Sequence, residues 1–567
     1  MVQDFTFKNH KISFLFALLP VATVIFQANR FWPLYDSSFI IENSYRISIG
    51  EVPYKDFLLL TTPGTYLIQA FIMKVFGSTL YPQIIYCSLI SFLIYLLTYR
   101  ILFFFNNGKW LNLAITLPVS ITGGYGIISF PFYDIDCLFL ILLSLFLVLY
   151  CYKKSFPKVC SILVGICSVI PVFFKQNMGL VYLAMLHLTF IVTIFFKKGE
   201  LSIKQYLWFF VGSILAIFLI ITYISVTSGF SNFVFSTFES AKLRLPGIIS
   251  FIQYNFNFVL LRRSVFWLLI AVVLKYLKLK NIWLYFICFF LMLSPIYLFP
   301  LRNVFYGNTK YYELFPTVWP VTIIVCIITV FYALVKVKDV SIFFILLLFT
   351  VVGVVIVTWL PHGYPAYSVD LCPLLSVLYA LLFLVLSKSV FRRNPHLLVR
   401  LMITNSIILA LLIVMFVISN HQYHWLYGYE IKEKIYHSTT PNLRGLSVPG
   451  EFVPNLDNLI NFVNKEIPVN EPIILIPPED PLNFALGRTP KFPLFIVDYW
   501  MLDIYKPEEI LEKIKFCGVE WMVIKTIVQG DFSGGNWDNL GNLIYLLKKE
   551  FVLYRVLPGY EIYHKIN

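Results

Sequence analysis

Charge is scarce in this chain. Of its 567 residues, 13% are charged and 59% hydrophobic, against about 25% and 45–50% in ordinary soluble domains. That composition excludes a soluble globular enzyme. Cysteine is sparse as well, and none of the nine stands at zinc-ligand or paired spacing. Eight of them, from Cys87 to Cys372, lie in or beside apolar segments. They read as small buried hydrophobes, which leaves no disulfide framework and no zinc module. There is no glycine-rich nucleotide loop. No internal repeat is evident, which weighs against transporters built from inverted repeats. Lys8 and Lys11 precede an apolar run as in a secretory signal, but no small-residue cleavage site follows Phe26. A retained first transmembrane helix is therefore expected.

What is abundant is apolar length. Ile12 to Phe26, Cys137 to Tyr152, Leu207 to Val226, Val321 to Val335, Ile342 to Trp359 and Leu401 to Ile418 form runs near membrane-spanning length. So many runs in one chain define a polytopic α-helical membrane protein.

The net charge of +14 does not imply nucleic acid. Lysine and arginine cluster in every second loop, at 153–158, 197–204, 275–280, 336–338 and 388–393, the pattern of cytoplasmic loops. Following these clusters predicts a zigzag of about thirteen spans with the amino terminus inside. Long outside loops fall at 29–78 and 228–263, the second mixing aromatic and basic residues as interfacial helices do. Residues 1–420 form the membrane domain. Residues 421–567, richer in charge, are expected outside as a small α/β domain. Its strands are expected at 472–476, 494–497, 521–524 and 551–554, with helices at 507–515 and 540–549.

The inside loops hold almost only basic residues, whereas the outside loops hold acids, amides and histidine. The working face is therefore predicted outside. Its candidates are Asp36, Glu42, Glu51, Tyr54 and Asp56 in the first loop, and Asp134 and Asp136 in the second. Lys175 and Gln176 follow in the third, with Arg262, Arg263, Arg302, Lys310, His362 and Tyr367 later. Bland readings stand beside these. Asp36 caps a helix starting at Ser37-Ser38, Asp56 shapes a proline-rich turn, and Asp134 caps the fourth span. His362 is then a loop residue, and the arginines are interfacial anchors. Asp136, just inside its span, is harder to explain so, because a buried carboxylate needs a partner. Lys175, an outside arginine, a divalent metal or the acceptor itself is expected there, in one cavity with Asp36.

The first-loop pattern resembles the GT-C glycosyltransferases, in the branch of the protein O-mannosyltransferases and the lipid A aminoarabinose transferase. It consists of Asp36 before a helical stretch, Gly50-x-x-Pro53-Tyr54-x-Asp56-Phe57, Pro63-Gly64-x-Tyr66 and Phe76-Gly77. Gly165 with Lys175-Gln176-Asn177-x-Gly179, and Tyr367 with Leu371-Cys372-Pro373-Leu374, are similar to later junctions of that family. The resemblance implies a GT-C-like fold that moves a sugar from a polyprenyl-phosphate donor to a glycan, lipid or protein acceptor. The active site is then extracytoplasmic in the cell membrane. Asp36 corresponds to the first-loop catalytic aspartate, and Asp136, or else Asp134, to the second-loop acid. Two positions depart from the pattern: Ser37 stands where many members carry an acid, and Thr61-Thr62 where many carry a base. No cofactor is implied beyond a possible divalent metal at Asp136. The competing readings are a glycan polymerase or ligase, and a transporter or flippase of lipid-linked glycans.

Overall fold

The computed structural model describes residues 11–28, 32–196 apart from positions 107, 123 and 127, 201–239, 341–359 and 372–388. It further describes isolated positions from 395 to 410, residues 426–427 and 434–494, residue 502, and residues 505–528 and 537–566.

The first seven predicted spans appear as apolar helices. A turn at Ala17 divides the first into α1 (Lys11–Phe16) and α2 (Leu18–Ala28). Then come α5 (Leu80–Leu102), α6 (Lys109–Thr122), α7 (Tyr133–Lys153), α8 (Lys158–Val169), α9 (Gln176–Phe196) and α10 (Ile203–Thr227). Among the described residues, α5, α7, α9 and α10 are long and apolar enough to cross a bilayer. Large apolar side chains stand exposed on them, with Phe195 at 78% and Val226 at 80%. That is the surface lipid, not water, covers. The protein is integral to the membrane. Of the later spans, α12 (Ile342–Trp359) packs on α9, and α13 (Cys372–Lys388) on α5 and α6. Apart from isolated helical positions between 395 and 410, the other predicted spans lie outside the described residues, as do 240–263 of the second long loop. Residues 230–239 of that loop form a short helix, α11 (Phe230–Val234), and a π turn.

Two glycines set the tightest helix contact. A Cβ on Gly165 would lie 2.1 Å from the Phe209 carbonyl oxygen, and one on Gly212 would lie 2.1 Å from that of Ile162. The backbones of α8 and α10 therefore meet directly, as small residues permit in membranes.

The first loop is not an open loop. It folds into α3 (Leu34–Ser48) and α4 (Gly64–Phe76), packed on each other. On α3, Ser37, Ser38, Glu42, Asn43, Ser44 and Arg46 are all buried. Short and polar, α3 is held by tertiary contacts and spans nothing.

In the tail, β5 (Ile473–Ile476) pairs parallel with β6 (Trp521–Lys525). The sheet continues antiparallel through β8 (Tyr560–Lys565) to β7 (Phe551–Leu557). Helices α14 (Phe452–Glu466), α15 (Leu482–Leu486), α16 (Pro507–Phe516) and α17 (Trp537–Glu550) accompany it, giving the expected small α/β fold. Strand β8 and helix α14 were not anticipated, and expected strand residues 495–497 lie outside the described set. A buried ion cluster anchors the sheet: Lys525 Nζ lies 3.1 Å from Glu479 and 2.8 Å from Asp480. The Tyr560 hydroxyl donates to Asp480 at 2.8 Å.

The tail is clasped to the first loop. β1 (Trp32–Pro33) pairs with β2 (Leu426–Tyr427). Leu58 N donates to the Pro493 carbonyl at 3.1 Å, and Leu80 N to that of Arg444 at 3.1 Å.

Candidate functional site

Four stretches distant in sequence meet at Asp136, which is 1% exposed near the start of α7. Thr65, in the first turn of α4, donates to Oδ2 at 2.7 Å. Tyr86 of α5 donates to Oδ1 at 2.8 Å, and Tyr125, ahead of α7, donates to the same oxygen at 2.6 Å. An ionised carboxylate only accepts, so three hydroxyl donors suit it. Such charge-assisted bonds offset the cost of its burial. Sequence spacing carries no hint of these hydroxyls, because they come from positions 65, 86 and 125.

Lys175 does not complete this group. It sits in the link between a 3-10 turn (Ile170–Phe173) and α9, and its Nζ lies 3.2 Å from Asp134 Oδ1 and 3.8 Å above the Tyr133 ring. The Asp134 and Lys175 side chains are 19% and 17% exposed, more open than Asp136. Asp134 is thus an ion-pair partner in the first turn of α7, not a cap residue preceding it. The partner of Asp136 is a hydroxyl set, not the expected lysine. Gln176 begins α9 with its Oε1 buried and unpartnered.

The start of α4 is wedged into the same region. A Cβ on Gly64 would come within 2.7 Å of the Phe173 carbonyl and the Phe174 ring. Only glycine permits that approach. Phe39 of α3 meets Tyr66 edge-on at 5.8 Å, and the Tyr66 hydroxyl bonds Thr61 Oγ1 at 2.9 Å. Asp36 lies one turn before Phe39 on α3, partly exposed. The helix starts at Leu34, not at Ser37-Ser38, so Asp36 sits in its first turn, where a carboxylate favours the helix dipole.

Tyr54 is buried in the left-handed backbone region, at φ 67°. Its hydroxyl donates to the Thr61 carbonyl at 2.6 Å, and its ring packs on Phe233. Asp56 is exposed and accepts from Val52 N at 2.7 Å, which makes it a turn residue here. Arg262, Arg263, Arg302, Lys310, His362 and Tyr367 lie outside the described residues.

The donors around Asp136 do not fit a divalent cation, which requires several oxygen or imidazole ligands rather than hydroxyl hydrogens. Among the described residues no three of His, Cys, Asp and Glu gather as a metal site.

At the other end of α3, Glu42 is buried and accepts from the Phe484 N–H at 3.0 Å. Burial pushes its carboxyl up to about 7, against the Phe484 N–H, Asn483 and the Arg46 guanidinium, which hold it down. Arg46 is ion-paired with Glu51, stacks over Phe57 at 4.6 Å, and donates to the Phe492 carbonyl at 2.9 Å.

No protein-family profile and no curated protein matches the chain by sequence. Among solved structures, it is similar to an oligosaccharyltransferase from Archaeoglobus fulgidus in complex with zinc and sulfate. There the TM-score is 0.45 at 12% identity, over 98% of this chain and 73% of that one. It is similar to ArnT from Cupriavidus metallidurans bound to undecaprenyl phosphate, with a TM-score of 0.46 at 11% identity over 97% of each chain. It is also similar to the oligosaccharyltransferase AglB from Archaeoglobus fulgidus with an inhibitory peptide and a dolichol-phosphate. That TM-score is 0.48 at 10% identity, over 92% of this chain and 70% of that one.

Proposed function

We propose that this protein is an integral-membrane glycosyltransferase of the GT-C type. It moves a sugar from a polyprenyl-phosphate donor to a glycan, lipid or protein acceptor on the extracytoplasmic face. One observation carries the reading: the first loop folds inward as α3 and α4. Its Asp36 end is thereby tied, through Phe39, Tyr66 and Thr65, to the second-loop acids and Lys175.

The chemistry suits that arrangement. As the bond from the anomeric carbon to phosphate breaks, cationic character develops on the sugar and negative charge on the leaving phosphate. The acceptor hydroxyl or amine attacks and loses its proton. Asp36, partly exposed, takes that proton as general base. Attack opposite the leaving phosphate inverts the anomeric carbon. In this reading Lys175, which lies over Tyr133 and beside Asp134, neutralises the phosphate. Asp136, both oxygens engaged, fixes the loops rather than moving protons. The membrane orientation rests on the lysine alternation.

The test is Asp36→Asn in purified, reconstituted protein supplied with a panel of polyprenyl-phosphate sugars. Transfer should fall by about 10²-fold or more while the fold persists. A folded variant with wild-type turnover removes Asp36 from the reaction. No transfer by the wild type across donors and acceptors removes the reading itself.

A further inference from the structure

The two ends of α3 have different company. Asp36 stands in its first turn, and six residues on, Glu42 lies in the contact with the tail. There the Phe484 N–H reaches Glu42 Oε2 at 3.0 Å, and the Tyr45 ring meets Phe484 at 5.8 Å. One turn further, Arg46 holds the Phe492 carbonyl at 2.9 Å. The tail stretch 482–493 is thus laid along one half of a helix whose other half carries the proposed base. Glu42 Oε1 is buried and unpartnered. A fully ionised carboxylate is costly in such a place, and a protonated one is tolerated.

We propose that Glu42 is a positioning residue: it seats the 482–493 stretch on α3 and thereby holds Asp36 in register with Asp134 and Lys175. This rests on the reading of Asp36 as the base. Among the described residues, the charged and titratable groups facing Glu42 are Arg46, which pairs with Glu51 just beyond α3, and Tyr45. From the tail it meets Asn483 and Phe484, which do not titrate. Asp480, just before α15, is engaged by Lys525 and Tyr560.

The sign is fixed by the raised carboxyl. Undocked, Glu42 releases its proton near 4.5; docked, near 7. Docking is tightest below pH 4.5, weakens through the window from 4.5 to 7, and is level above it. At tenfold per unit, the whole change is about 10²-fold.

Hydrogen exchange of the full-length protein in nanodiscs, corrected for intrinsic rates, reads this directly. In the wild type, peptides covering 34–41 and 482–494 should lose protection together as pH rises from 5 to 8, by about 10²-fold. Glu42→Gln should abolish the pH dependence in both. Phe484→Ala should loosen both at every pH. Transfer should fall over the same window in the wild type and stay level in Glu42→Gln. The proposal is overturned if 482–494 opens while 34–41 stays protected, or if Glu42→Gln keeps the wild-type pH dependence. It is also overturned if transfer ignores a documented opening. Absence of transfer with the two peptides still opening together refutes the enzymatic reading instead, and leaves the coupling standing.

Discussion

Replacing Asp136 with asparagine exchanges one oxygen for an NH2 group and removes one charge. The carboxylate receives three hydroxyl hydrogen bonds, from Thr65, Tyr86 and Tyr125, at 2.6–2.8 Å. Each bond to a charged acceptor contributes about 1.5–3 kcal/mol. Asparagine keeps one acceptor and presents a donor in place of the other oxygen, so a hydroxyl that was donating must turn to accept, and all the bonds lose the charge that strengthened them. The expected cost is about 2–4 kcal/mol, a large part of the stability of an ordinary domain. Tyr125→Phe removes the shortest bond and also deprives Phe132 N of its 3.2 Å acceptor, at a cost of about 1.5–3 kcal/mol. Because the two changes break the same contact, the double variant should be less destabilised than the sum by about 1–2 kcal/mol. Reversible unfolding by steric trapping in bicelles measures all four proteins. Additivity within about 0.5 kcal/mol would show that Tyr125 and Asp136 do not cooperate. The hydroxyl clamp would then be wrong.

Two other substitutions probe the supports around the site. Lys525→Met leaves Glu479 and Asp480 buried without their cation, and should destabilise the tail by about 3–5 kcal/mol, read as protease sensitivity of residues 434–566. Gly64→Ala drives a methyl against the Phe173 carbonyl and the Phe174 ring, and should cost about 1–3 kcal/mol by the same unfolding assay, with transfer reduced. A neutral outcome at Gly64 would mean that the start of α4 is not wedged.

The membrane helices were legible because length and lysine alternation are local signals. Helices α7 and α10 contain the apolar runs Cys137 to Tyr152 and Leu207 to Val226. The inward fold of the first loop was not legible. A helix from Ser37-Ser38 is expected within an outside loop, but nothing local shows that Ser37, Ser38, Glu42, Asn43, Ser44 and Arg46 are buried by tertiary packing. Local composition cannot report a polar interior assembled from remote segments. The same holds for Asp136: its burial was foreseen from its place inside a span, but its partners arrive from three other stretches of chain. Lys175 pairs with Asp134 and not with Asp136, a choice the sequence does not reveal because the two acids stand two residues apart on one helical turn. In the tail, the apolar runs of β5 and β6 announced themselves. Strand β8, Tyr560–Lys565, alternates too weakly to do so.

The contact between α8 and α10 bears on traffic within the bilayer. Where Gly165 and Gly212 bring two backbones together, no acyl or isoprenoid chain fits between the helices. This wall of the protein is a closed seam, and a hydrophobic tail entering from the membrane must use another gap between helices. Gly165 and Gly212 thus mark a flank of the protein that does not part.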